Sequence, residues 1–92
     1  DFVFLNVLPE KYYKEQHIPG SDNIPYDEDD FLNRVGKKAE SKDAEIVVYC
    51  ANADCPKSKE AAETLEAAGY TNVVDFVGGT KEWRDADYRV ET

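Results

Sequence analysis

Ninety-two residues with 20 Asp plus Glu against 11 Lys plus Arg carry a formal charge of −9, excluding the cationic field that nucleic acid or an anionic membrane needs. Hydrophobic residues make up 41%, too many for a disordered chain, while the length suits one core and falls short of two domains. No apolar run approaches the roughly 18 residues of a membrane span, and the start of the chain lacks the basic flank of a secretory signal. Two cysteines, Cys50 and Cys55, are too few for a disulfide framework. With a single histidine, His17, they cannot make a four-ligand zinc site, so no metal is expected. The expected setting is reducing and cytoplasmic.

In chain order, Phe2 to Val7 reads as a strand ended by Pro9. A short helix follows from Pro9 to about Glu15, with proline at its first position, where a missing N–H costs nothing. His17 to Pro25 is extended and turn-rich. A second helix is predicted from about Asp27, with Phe31, Leu32 and Val35 on one face. Asp27 to Asp30 would sit at its positive end, and Lys37 and Lys38 at its negative end. Glu45 to Tyr49 contains IVVY, the run of a strand buried on both faces. After ANADCPKS comes a helix with Ala61, Ala62, Leu65 and Ala68 on one face, stopped by Gly69. Asn72 to Val77 reads as a further strand, and Gly78–Gly79 opens a last short helix holding Trp83. The alternation predicts a single α/β domain, a parallel sheet flanked by helices on both faces.

Cys50 follows a central strand directly and precedes a loop and a helix start, the place where open parallel sheets bind ligands. Converging loop amides and the positive end of the next helix would favour a thiolate, the nucleophilic form. The same spacing fits a small buried cysteine closing a core strand equally well.

The stretches FLNV–PEKYYKEQHIPGSDNIP, VVYC with a loop ending in Lys57–Ser58, AAETLEAAGYTNV and FVGGTKEW together resemble a rhodanese-like domain, the sulfurtransferase family of small α/β modules. The likeness runs through nearly all of residues 1–92, without an amino-terminal strand and helix usual in the family; the abrupt start suggests a chain cut from something longer. The resemblance implies sulfane-sulfur transfer from a donor such as thiosulfate or a persulfide to a thiol or cyanide acceptor. Cys50 would be the nucleophile, with Ala51, Asn52, Ala53, Asp54, Cys55, Lys57 and Ser58 forming the substrate loop. A protein sulfur acceptor is a further candidate partner, and no cofactor is implied.

The loop departs from the family pattern. Many members place Arg-Ser after Cys and four residues, whereas here Lys57 stands seven positions beyond Cys50. A lysine is a point charge and cannot make the bidentate fork of arginine. Pro56 removes one loop amide, Asp54 adds negative charge, and Asn6-Val7-Leu8 replaces the usual Asp-Val-Arg. Lys57 would be the only cation of the loop. Cys55 is either loop filler or a resolving thiol that could close on Cys50. His17, Asn23, Pro25 and Trp83 read as turn and core residues, and the acidic run from Asp27 as a solvated helix start. A tyrosine-phosphatase loop would need Arg where Pro56 stands, so that reading fails. The rival to an enzyme is a rhodanese-like module kept for protein interaction or regulation, with Cys50 catalytically weak.

Overall fold

The computed structural model describes residues 2–92; Asp1 lies outside the described residues. Strand β1 spans Val3–Asn6, shorter at both ends than the apolar run, and helix α1 spans Glu10–Glu15. Pro9 is the residue before that helix rather than its first, with ψ 149, and its carbonyl accepts the Tyr12 N–H at 3.0 Å. The turn-rich segment contains a two-residue strand, β2, Asp22–Asn23, paired in parallel with β1.

Helix α2 spans Phe31–Lys38, four residues later than the periodicity predicts. Asp27 to Asp30 form the turn before it, closed by Phe31 N–H donating to the Glu28 carbonyl at 3.1 Å. Asp30 precedes the helix without a side-chain cap, and Glu28 pairs instead with Arg34 at 3.1 Å. Aspartate favours turns over helix interiors because its short side chain competes for backbone groups.

Strand β3 spans Ile46–Tyr49, helix α3 Lys57–Ala67, strand β4 Val73–Phe76 and helix α4 Gly79–Asp85. Helix α3 therefore takes in Lys57 and Ser58, leaving a shorter loop than ANADCPKS. All pairings are parallel and the order is β2-β1-β3-β4. Alternation along the strands sends Leu5, Ile46 and Val48 into a core shared with Phe31 and Val35 of α2 and with Ala61 and Leu65 of α3. Leu5, Val35, Ile46, Val48 and Leu65 have no exposed surface, and burying each is worth about 1.5–3 kcal/mol. The opposite face carries Phe4 against Tyr49 (5.1 Å between centroids), with Val47, Phe76 and Trp83 of α4 lining an open apolar cavity of about 590 Å³. Val47 is half-buried, so β3 is fully enclosed on the α2/α3 side only.

The chain leaves β1 toward β2 on one side and leaves β3 toward β4 on the other. The switch point thus lies between the carboxyl ends of β1 and β3, where doubly wound sheets open a crevice.

Candidate active site

Cys50 sits at that switch point. It continues the inward alternation of Ile46 and Val48, so its side chain turns toward α3, and the residue is 1% exposed. Its backbone is gripped from the far side of the chain. Thr80 N–H donates to the Cys50 carbonyl at 3.1 Å and Lys81 N–H to the Ala51 carbonyl at 2.9 Å. Gly79, with φ +60, allows this approach: a Cβ there would lie 2.1 Å from the Cys50 carbonyl oxygen. The Gly-Gly pair is the signal for this contact in the sequence, although Thr80 and Lys81 themselves were not singled out.

The Cys50 sulfur meets Ser58 Oγ at 3.6 Å and the Cys55 carbonyl oxygen at 3.4 Å. The second contact departs from the expected amide cradle, because a carbonyl accepts a proton and so favours the thiol. Two loop amides are directed elsewhere: Asp54 N–H donates to Asn52 Oδ1 at 2.9 Å and Cys55 N–H to the Asn52 carbonyl at 3.2 Å. Burial is the main cause that pushes the Cys50 thiol above its ordinary value, reinforced by hydrogen bonding with Cys55. Ser58 acts in the opposite direction through its hydroxyl and its amide. In this arrangement burial and the Cys55 contact raise the thiol, against the lowering by Ser58.

Ser58 is buried at the first turn of α3. Ala51, Asn52 and Cys55 are half-buried, whereas Ala53 and Asp54 stand exposed. Lys57 opens α3 and is ion-paired with Asp27, which holds the ammonium above its ordinary pKa through their hydrogen bond. The acidic run is therefore more than a solvated helix start, since one of its members occupies the cation of the loop. Thirty residues separate these partners, and no local pattern signals the contact.

Beside Ala51 and Thr80 lies a pocket of about 240 Å³ walled by Leu8, Tyr12, Glu15 and Gln16, which sequence reasoning missed. Asn6, at the Asp position of the family signature, is fully buried; its Oδ1 accepts the Leu8 N–H at 2.9 Å. Asn23 braces the same turn through Nδ2, reaching the Asn6 and Leu8 carbonyls at 3.1 and 2.9 Å. His17 is structural: Nδ1 lies 2.9 Å from the Tyr13 carbonyl, and its backbone bridges Glu91. Among the described residues no group of three or more His, Cys, Asp or Glu side chains gathers to hold a metal, and no helix is long and apolar enough to cross a membrane.

A parallel sheet whose central strand delivers a cysteine to a loop capped by a helix is the architecture of the rhodanese-like domain. The profile of that domain matches residues 1–86, and the chain belongs to the family. Over 79 residues it is 33% identical to thiosulfate sulfurtransferase PspE of Escherichia coli, covering 86% of this chain and 71% of that protein. Over 87 residues it is 30% identical to adenylyltransferase and sulfurtransferase UBA4 of Candida albicans, covering 90% of this chain and 19% of that protein. This chain therefore spans about a fifth of the latter's length. The solved Rhodanese_3-like domain of the Alr3790 protein from Anabaena sp. superposes over the full length of both chains, with a TM-score of 0.83 and 26% identity.

Proposed function

We propose that this domain moves sulfane sulfur from a donor such as thiosulfate or a persulfide to a thiol or cyanide acceptor, through a persulfide on Cys50. The observation that carries the reading is the Cys50 sulfur at the switch point of the sheet, facing the Ser58 hydroxyl and amide at the first turn of α3. The Cys50 thiolate attacks the outer sulfur of thiosulfate, the S–S bond breaks, and sulfite leaves with its electron pair. An acceptor thiolate then takes the outer sulfur of the persulfide, releasing Cys50. Ser58 stabilises the sulfur anion between the two steps. Because Cys50 is 1% exposed, its surroundings must open to admit the donor. No resident cofactor enters either step, and a protein carrying an acceptor thiol is a further candidate partner. Mass spectrometry after incubation with thiosulfate tests the reading: a gain of about 32 Da on Cys50 is expected, absent in Cys50→Ser.

The second reading, a catalytically weak interaction or regulatory module, draws on the raised Cys50 thiol and on Lys57 being held by Asp27. A domain that gains no sulfur from thiosulfate, polysulfide or an organic persulfide would establish it in place of the first.

A further inference from the structure

Cys50 and Cys55 are both free, and the loop between them folds back on itself. Asn52 closes it by accepting the Asp54 and Cys55 amides, while the Cys50 sulfur lies 3.4 Å from the carbonyl of Cys55. Residue 55 thus stands beside the sulfur of residue 50, not across the site from it. Hydrogen bonding with Cys55 is also the second cause, after burial, that raises the Cys50 thiol. The two differ in access: Cys50 is sealed, whereas Cys55 is half-buried and reachable from solvent.

We propose that Cys55 is a resolving thiol, which turns the domain from a sulfur carrier into one that reduces its own persulfide and releases sulfide. The proposal rests on the Cys50 persulfide described above. The Cys55 thiolate attacks the inner sulfur, Sγ of Cys50; the bond to the outer sulfur breaks, and hydrosulfide leaves with the electron pair. The sulfane sulfur gains two electrons and the two cysteines lose them, so the products are one hydrogen sulfide and a Cys50–Cys55 disulfide. The Cys55 proton accompanies the sulfide. Reopening requires an external dithiol, which attacks the accessible Cys55 sulfur. Position favours attack on the inner sulfur, because the backbone of residue 55 lies 3.4 Å from Sγ of Cys50. Closure of a disulfide further demands a Cα separation of about 4.4–6.8 Å, within the compass of a turn.

The test exploits the chain itself, since trypsin cleaves after Lys42 and Lys57 and leaves both cysteines in the peptide 43–57. Anaerobic protein is incubated with thiosulfate and no added thiol, and sulfite, sulfide and peptide mass are followed. The parent is expected to release sulfite and sulfide in equal amounts, its peptide becoming lighter by about 2 Da and refractory to alkylation. Cys55→Ser is expected to release sulfite alone and keep a peptide heavier by about 32 Da. A parent that retains its persulfide with both cysteines unlinked overturns the resolving role and leaves the transfer reading standing. Failure of both proteins to release sulfite or gain sulfur overturns the transfer reading, and the resolving role with it. As an independent check, the reduced parent is treated with diamide, a thiol oxidant that needs no sulfur donor. A linked 43–57 peptide is expected, and its absence overturns the proposal whatever the donor.

Discussion

Asp27 and Lys57 set the charge beside the candidate loop, and each is partly exposed, at 56% and 32% of its side chain. Removing the carboxylate frees the ammonium to face an anionic donor. At such exposure one charge contact is worth about 1 kcal/mol, so Asp27→Asn is expected to raise kcat/KM for thiosulfate by roughly two- to fivefold at low salt. Steady-state kinetics would refute the idea if the variant were slower than the parent. Lys57→Ala, which removes a cation already engaged, should cost less than a factor of about two. Cys50 makes a prediction of its own. Burial raises its pKa, and the thiolate fraction grows with pH. In Cys55→Ser, alkylation of Cys50 by iodoacetamide is expected to climb with pH and reach half its plateau above about 8.5, the value of a free thiol. A midpoint below that value would mean that Ser58 outweighs burial.

The short α4 acts as a clamp on the loop, and Gly79 is the point where it bears on Cys50. Gly20 has φ +88 and Gly79 φ +60, but only Gly79 lacks space for a Cβ. Left-handed backbone alone costs a non-glycine residue about 1–2 kcal/mol. Gly20→Ala should therefore lower stability by about 1 kcal/mol, whereas Gly79→Ala adds a clash with the Cys50 carbonyl and should exceed about 3 kcal/mol. Denaturant titration of the two variants decides, and equal losses would show that backbone strain is the whole effect. A Gly79→Ala protein that remains folded should also lose sulfur loading, since the clash displaces Cys50. Helix α2 makes the complementary point: its late start at Phe31 leaves Asp27 in a turn, and there the carboxylate reaches α3.

At the scale of the whole molecule, the charge of −9 repels a dianionic donor before any contact forms. The Debye length is about 30 Å at 0.01 M ionic strength and about 8 Å at 0.15 M, so added salt shortens that repulsion. For the parent, kcat/KM toward thiosulfate is expected to rise with ionic strength, while an uncharged sulfane-sulfur donor should react at a rate independent of it. Thiosulfate kinetics that fall with added salt would mean that a local cation outweighs the net field.

Short apolar runs at Val3–Asn6 and Ile46–Tyr49, the apolar spacing of Phe31 with Val35 and of Ala61 with Leu65, and the Gly69 stop all act over a few residues. They were legible for that reason, and so were the parallel sheet and the place of Cys50 at a strand end. Element boundaries drifted where a turn-forming run abuts a helix, as at Asp27 to Asp30. What the tertiary structure alone decided are contacts between distant segments: Asp27 with Lys57, the α4 amides on the carbonyls of Cys50 and Ala51, and the Cys55 carbonyl turned toward the Cys50 sulfur. The protonation of Cys50 belongs with them. Burial and hydrogen bonds over a few ångströms determine whether a thiol ionises, and loops far apart in the chain establish those distances only when they pack.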